Sequence, residues 1–183
     1  MRKIAGVLIF LTLLQFVLFA SKPGLKEAVT AFSSTGNVYQ AYLFFQDYAP
    51  VTLADDDFQM LLSFICNPGF EKPGILTKVL KNRVESVLAA NSKTRIEFIL
   101  HVALEAEKPV LKKEIAIILG KIPAGKPKKK YLNNYEFVWE DEIYRDEKVI
   151  LLLQSLRNFP DEAVRKEAES ALNRILKTSV DTR

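Results

Sequence analysis

Two segments of the chain carry apolar residues at the same helical spacing, and this internal repeat constrains the fold more than any other feature. In both segments the apolar residues fall at i, i+4, i+7, i+8 and i+11, which places them on one face of a helix. They are Leu111, Ile115, Ile118, Leu119 and Ile122 in the first segment and Val164, Ala168, Ala171, Leu172 and Ile175 in the second. Residues 98–100 and 151–153 precede them in the same register. A recurring helix–turn–helix unit of this kind predicts helical hairpins that stack, because one hairpin cannot bury both of its faces alone.

Shorter stripes with helical spacing run through the rest of the chain. They begin at Leu25, Val38, Phe58, Leu76 and Ile96. The chain of 183 residues contains only 7 glycines and 8 prolines, which disfavours a turn-rich sandwich or barrel. The sequence therefore predicts an all-α fold, with about eight helices in four antiparallel hairpins.

Capping side chains and a proline predict where three of the helices begin. Asp55 stands before the third stripe as a predicted N-cap, and Ser92 or Thr94 is predicted to cap the fifth helix. Pro109 is predicted to open the sixth helix at a first-turn position, where its missing amide hydrogen costs nothing.

The last hairpin carries the pattern of a known repeat family. An apolar first helix is followed by the turn Pro160-Asp161, and Val164-Arg165 then opens the second helix. This segment resembles the HEAT-repeat family, best over residues 147–177 and more weakly over 94–122, where Leu111-Lys112 replaces Val-Arg. The resemblance implies a right-handed stack of antiparallel helical hairpins, a HEAT-like α-solenoid. It also implies a scaffold for protein interactions that inherits no catalytic residues.

The N-terminus has the pattern of a secretory leader. The basic start Arg2-Lys3 is followed by an uncharged, largely apolar run over residues 4–19, and Ala20 then gives way to polar residues and helix breakers. Residues 1–20 are therefore predicted to be a signal peptide that is cleaved after Ala20, and residues 21–183 a single helical-repeat domain. An uncleaved membrane anchor is the alternative, although the apolar run is a little short for a span of roughly 20 residues.

Residues 123–139 interrupt the repeat and are predicted to form an inserted loop. Pro123, Gly125 and Pro127 prevent a helix there, and the segment is too aromatic to be simply disordered. Two interpretations stay open. The aromatic residues plug the gap between the third and fourth hairpins, or at least one of them anchors a partner beside the lysines. The candidate partner-binding residues are Lys126, Lys128, Lys129, Lys130, Tyr135 and Trp139.

Three other positions carry potentially reactive side chains. Asp55-Asp56-Asp57 is the densest carboxylate cluster, but acids at a helix start usually complement the helix dipole. His101 is the only histidine, so it lacks companions for a zinc site or a catalytic triad, and Glu105 is its candidate structural partner. Cys66, the only cysteine, is expected to be a buried small apolar side chain, with a reactive thiol or an intermolecular disulfide as the alternative. We therefore expect no catalytic residue, no metal site and no cofactor.

Composition and architecture together favour a function in binding. The formal net charge of +4 includes Arg2 and Lys3 of the predicted leader, so the rest of the chain is too balanced to predict a nucleic-acid partner. We expect an exported, non-enzymatic helical-repeat scaffold that binds a protein partner in the bacterial periplasm or cell envelope, or outside the cell. The alternative is an envelope protein that binds an anionic or lipid surface through the Lys126–Lys130 run. Membrane contact thus stays open through that run or through an uncleaved leader.

Export predicts a processed N-terminus. Mass spectrometry of the natively exported protein is expected to find Ser21 as the first residue, because the small residue Ala20 ends the leader. An intact Met1 in the membrane pellet would instead establish the uncleaved anchor.

Overall fold

The computed structural model describes residues 24–49, 52–124, 128–131, 137–140 and 143–177, with the backbone alone for the two strands. Its helices are α1 Leu25–Thr35, α2 Val38–Asp47, α3 Asp55–Phe64, α4 Ile75–Ser92, α5 Ile96–Glu105, α6 Pro109–Leu119, α7 Glu147–Leu156 and α8 Glu162–Lys177. Two short 3₁₀ helices, Pro68–Glu71 and Lys93–Arg95, and two strands, β1 Lys128–Tyr131 and β2 Phe137–Glu140, complete the described elements. The prediction of an all-α fold is confirmed, with one short ribbon added. Among the described helices, none is long and apolar enough to cross a bilayer.

The helices contact one another in a regular order. Each odd-numbered helix packs against the even-numbered helix that follows it. The even-numbered helices also pack in series, α2 on α4, α4 on α6 and α6 on α8. Among the odd-numbered helices, α1 packs on α3 and α5 packs on α7, whereas α3 and α5 make few direct contacts. The second helices therefore form a continuous layer, and the first helices leave a gap between α3 and α5.

The apolar stripes that defined the internal repeat lie in the core. On α6 and just after it, Ile115, Ile118, Leu119 and Ile122 are buried, and Leu111 is half-buried. All five residues of the matching stripe on α8 are buried. The stripe that begins at Leu76 is buried less completely, because Val79, which shares its helical spacing on α4, is 45% exposed.

Small residues allow α6 and α8 to approach each other closely. A Cβ atom added to Gly120, directly after α6, would lie 2.7 Å from the Ala171 Cβ and 2.9 Å from its Cα. No real side chain tolerates such distances, so Gly120 and Ala171 set the spacing between these helices. Ala168, one turn earlier on α8, is likewise fully buried.

The two repeat units share a polar contact as well as an apolar stripe. Lys112 on α6 donates through Nζ to the Ala103 carbonyl in the last turn of α5, at 2.6 Å. Arg165 occupies the equivalent position on α8 and donates through Nη1 to the Phe159 and Pro160 carbonyls, at 3.1 and 2.7 Å. In each hairpin a basic residue of the second helix thus bonds carbonyls of the preceding segment, in the last turn of α5 in the first case and in the turn after α7 in the second.

Buried ion pairs join α4 and α6 in a reciprocal way. Lys81 on α4 lies 2.7 Å from the Glu114 carboxylate on α6 (Nζ to Oε1), and Lys121, just after α6, pairs with the Glu85 carboxylate on α4. Both carboxylates are buried. Each helix therefore supplies a buried acid to a lysine that comes from the other side of the interface.

A basic side chain also ties α4 to α2. Arg83 donates through Nε to the Phe45 carbonyl at 3.0 Å, and its Nη2 lies 3.5 Å from the carbonyls of Gln46 and Tyr48. These carbonyls belong to the end of α2, which has no intrahelical donors for them. A guanidinium at a helix C-terminus also complements the helix dipole.

The helix starts agree only in part with the predictions. Pro109 occupies the first turn of α6 as expected. Asp55 is wrong as an N-cap, because Ala54 precedes the helix and Asp55 lies in its first turn without a capping bond. The caps predicted at Ser92 and Thr94 are also absent, because α4 continues through the 3₁₀ turn Lys93–Arg95 straight into α5.

The predicted inserted loop includes an antiparallel ribbon. Strand β1 pairs with β2 in the register Lys128↔Glu140, Lys129↔Trp139, Lys130↔Val138 and Tyr131↔Phe137. The ribbon is joined to the helices by a bridge between Pro123 and Ile143 and by the Tyr144 amide, which donates to the Ile122 carbonyl at 2.8 Å. Of the helix breakers identified in the sequence, Pro123 thus forms the bridge at the base of the ribbon.

Burial along α8 predicts a sharp contrast between two identical substitutions. Ala168→Asp is expected to lower the free energy of unfolding by about 3 kcal/mol or more, because it places an unpaired charge in the core. Ala163→Asp on the same helix is the control, since Ala163 is exposed and lies in the first turn, where an acid complements the dipole. Equal melting temperatures for the two variants would show that the buried face of α8 is assigned wrongly.

Candidate partner-binding groove

The gap between α3 and α5 forms a groove with two hollows. One hollow, of about 990 Å³, is largely apolar, and the other, of about 610 Å³ and here called the polar hollow, is lined mainly by charged and polar residues. Both are lined by Gln59 on α3 and Phe98 on α5, so they adjoin at this point. Phe98 also packs against Phe58, with ring centroids 6.2 Å apart in an edge-to-face arrangement.

The apolar hollow is built from side chains of four helices. α1 and α3 supply one wall, with Val29, Met60 and Leu62 among its residues, and α5 and α6 supply the other, with Val102 and Leu111. Four of these five side chains are half-buried, so they remain partly available to a ligand. Met60 adds an unbranched, polarizable side chain, which adapts readily to different apolar partners.

The rim of the apolar hollow is polar. Ser33, Ser63 and Asn67 lie along one side, and His101 and Glu105 along the other. His101 Nε2 lies 3.1 Å from Glu105 Oε2, and both side chains are about two-thirds exposed, at 66% and 68%. The predicted structural pairing of His101 with Glu105 is confirmed, and it lies at the rim of the groove.

Cys66 lies at one end of the apolar hollow and is half-buried. Its Sγ donates to the Leu62 carbonyl at 3.5 Å. Burial, reinforced by the nearby Glu114 carboxylate, raises the pKa of the Cys66 thiol to about 11. The thiol is therefore protonated and poorly nucleophilic at neutral pH. This fits the expected small apolar role, although the burial is less complete than predicted.

Arg95 organises the polar hollow. Its Nε donates to Asp55 Oδ1 at 3.0 Å, and its Nη2 donates to the Leu53 carbonyl at 2.5 Å. Its Nη1 donates to the Asn91 carbonyl at 3.2 Å. The guanidinium also lies over the Phe58 ring, 5.3 Å from the centroid. One side chain thus links the residues before α3 to the junction of α4 and α5.

The remaining charged side chains of the polar hollow also have hydrogen-bond partners. Lys148 forms an ion pair with Glu97, and hydrogen bonding to that carboxylate raises the pKa of Lys148 above its ordinary value. Asp146 caps α7 by accepting from the amides at 148 and 149, and Tyr144 donates to it at 3.2 Å. Lys93 donates to the Ala124 carbonyl, so the hollow offers several polar groups that already have a partner. Such groups can bind a polar or charged ligand group by hydrogen bonds.

The candidate functional residues predicted from the sequence lie in different parts of the structure. Asp55 belongs to the polar hollow, whereas His101 and Cys66 border the apolar one. Lys126 and Tyr135 lie outside the described residues. Positions 128–130 lie in β1 and Trp139 in β2, with their side chains outside the description. The choice between a plug and a partner anchor at Tyr135 and Trp139 therefore stays a prediction.

Sequence reasoning did not predict the groove, and it did not identify Phe98 or Val102 as lining residues. Phe98, Val102 and Leu104 lie off the apolar stripe of α5, so the helix is apolar on almost every side. A helix of this kind covers more than one core face or leaves apolar surface exposed. The apolar character of nearly the whole of α5 was therefore the sequence signal that could have revealed an exposed apolar surface. In the structure, Leu104 is 70% exposed and Phe98 lines both hollows.

Comparisons with protein-family models, with curated proteins and with solved structures find no match to this chain. Within the described part of the chain, no group of three or more His, Cys, Asp or Glu side chains is arranged to hold a metal ion. The function must therefore be argued from the groove itself.

The raised pKa of Cys66 predicts slow alkylation of the folded protein. At pH 8, iodoacetamide is expected to modify the folded chain roughly a hundredfold more slowly than the urea-unfolded chain, because the folded thiol ionises only near pH 11. The rate for the folded protein is expected to keep rising up to about pH 11. Equal rates for folded and unfolded chains at pH 8 would contradict the environment described for Cys66.

Proposed function

We propose that the chain is an exported, non-enzymatic helical-repeat scaffold that binds a protein partner in the bacterial periplasm or cell envelope. The partner is a polypeptide segment that presents apolar side chains to the groove between α3 and α5. The observation that carries the proposal is the apolar hollow of about 990 Å³. Its half-buried walls are bordered by an exposed apolar side chain, Val110, at 41%.

Several contacts support the stacking part of the proposal. The second helices pack in series, and in each of the last two hairpins a basic residue of the second helix bonds a carbonyl of the first helix or of the turn that follows it. This repetition fits a right-handed stack of antiparallel hairpins of the HEAT-like α-solenoid type. Such stacks present extended surfaces that bind other proteins, although a fold alone never determines a function.

The dimensions and chemistry of the groove favour a polypeptide over a small molecule. Pockets for small ligands usually enclose about 300–1,000 Å³ and bury most of the ligand. The apolar hollow alone reaches the upper end of this range, and the polar hollow extends it past Phe98. An apolar centre with hydrogen-bonding groups at its rim is the usual anatomy of a protein interface.

A pair of lysine substitutions tests the groove without disturbing the core. Val110→Lys introduces a charge at the edge of the apolar hollow, and Leu151→Lys is the matched control on α7, where the side chain is 58% exposed and outside the groove. The partner is first captured by crosslinking in the native envelope fraction and then bound by the purified chain. Val110→Lys is expected to weaken that binding at least about tenfold, because an apolar segment bound in the hollow would remove water from the unpaired ammonium group at its edge.

The control decides the interpretation. Leu151→Lys is expected to bind as tightly as the unmodified chain, and both variants are expected to melt within a few degrees of it, because both positions are exposed. Equal binding by all three proteins would remove the groove as the partner site. Equal loss in both variants would show that the loss follows from the added charge and not from the groove, and would contradict the proposal.

A further inference from the structure

The register of the ribbon separates its residues into two unlike faces. In an antiparallel pair, opposite residues share a face, and the faces alternate along each strand. The pairs Lys129↔Trp139 and Tyr131↔Phe137 therefore place one lysine and three aromatic residues on one face, here called the aromatic face. The other face holds Lys128, Lys130, Val138 and Glu140.

The ribbon is basic on both faces, and the faces differ in their aromatic content. Lys128 is opposite the acid Glu140, whereas Lys129 is opposite Trp139 and Lys130 is opposite Val138, so each face carries one lysine that no acid opposes. Only the aromatic face combines that lysine with aromatic residues. A lysine among tyrosine, phenylalanine and tryptophan residues is the combination that concentrates at the surface of lipid bilayers.

The position of the ribbon in the fold leaves it outside the helical repeat. It is inserted between α6 and α7 and joined at its base by the Pro123–Ile143 bridge. Lys93 also donates to the Ala124 carbonyl at 2.8 Å and so fixes the base. The apolar hollow proposed for a protein partner is not lined by the base of the ribbon, whereas Lys93 and Tyr144 at that base line the polar hollow.

We propose that the aromatic face of the ribbon binds the headgroup region of a bilayer that contains anionic phospholipids. Aromatic residues favour this interface, where one end of an amphipathic ring is apolar and the other is wet. A lysine on the same face adds an electrostatic attraction to the lipid phosphates. The protein partner and the membrane are bound by different surfaces, so this proposal stands or falls independently of the groove.

The chain reports on this contact through its own fluorescence. Trp139 is the only tryptophan, so the emission of the full-length chain comes from the ribbon. Vesicles of phosphatidylethanolamine and phosphatidylglycerol are expected to shift the emission to shorter wavelengths and to protect it from acrylamide. Vesicles of phosphatidylcholine alone are expected to give a much weaker effect, because they lack net negative charge. Binding through residues 1–20 alone would leave the emission unchanged and would overturn the proposal.

Variants on the two faces sharpen the test. Phe137→Ser is expected to weaken vesicle binding at least about tenfold, and Lys129→Gln about fivefold. Val138→Ser, on the opposite face, is the matched control and is expected to bind as the unmodified chain does. Equal losses in Phe137→Ser and Val138→Ser would overturn the assignment of the aromatic face.

Two further outcomes would also overturn the proposal. Emission that is already blue-shifted and protected without lipid would show that the ribbon packs on its own domain. A shift that depends on protein concentration in the absence of vesicles would show that a second copy of the chain covers the ribbon. Both outcomes leave the groove between α3 and α5 untouched.

Discussion

The reciprocal ion pairs between α4 and α6 are the constraint on which the arrangement of the helices depends. An apolar stripe can slide or rotate against another stripe at modest cost, whereas a buried carboxylate must meet its ammonium partner. Glu85 and Glu114 are both buried, and each pairs with a lysine from the other helix or its end. Two such pairs, running in opposite senses, fix both the axial position and the rotation of α6 on α4.

The groove follows from this fixed layer of second helices. With α4 and α6 held together, the first helices of the second and third hairpins are carried apart, and Arg95 fixes the separation. Its guanidinium bonds Asp55 and the Leu53 carbonyl on one side and the Asn91 carbonyl on the other. The α4–α5 connection is one 3₁₀ turn, which leaves little freedom for the angle between the helices. The apolar walls of the hollow thus stay separated, because the contacts of Arg95 and the ion pairs between α4 and α6 fix the helices that carry them.

The sequence predicted the helices well and the buried charges not at all. Helical spacing reports which residues face inward, and the repeat at 111–122 and 164–175 is reproduced in the core. The two repeat units have the same pattern of basic and acidic residues, with Lys112 and Glu114 in the first and Arg165 and Glu167 in the second. Only the first pair is buried. The difference is that α6 is covered by α4, whereas α8 has no further described helix beyond it. Whether a distant helix covers a residue depends on the tertiary structure, so local sequence cannot predict it. The groove between α3 and α5 was missed for the same reason.

A double-mutant cycle across Glu85 and Lys121 tests the central claim most directly. Lys121→Met leaves a buried carboxylate without its lysine and is expected to lower the free energy of unfolding by about 3 kcal/mol. Adding Glu85→Met removes that carboxylate, so the double variant is expected to be clearly more stable than Lys121→Met alone. A loss below about 0.5 kcal/mol in Lys121→Met, with additive effects in the double variant, would contradict the account. The second-helix layer would then be held by its apolar stripes alone.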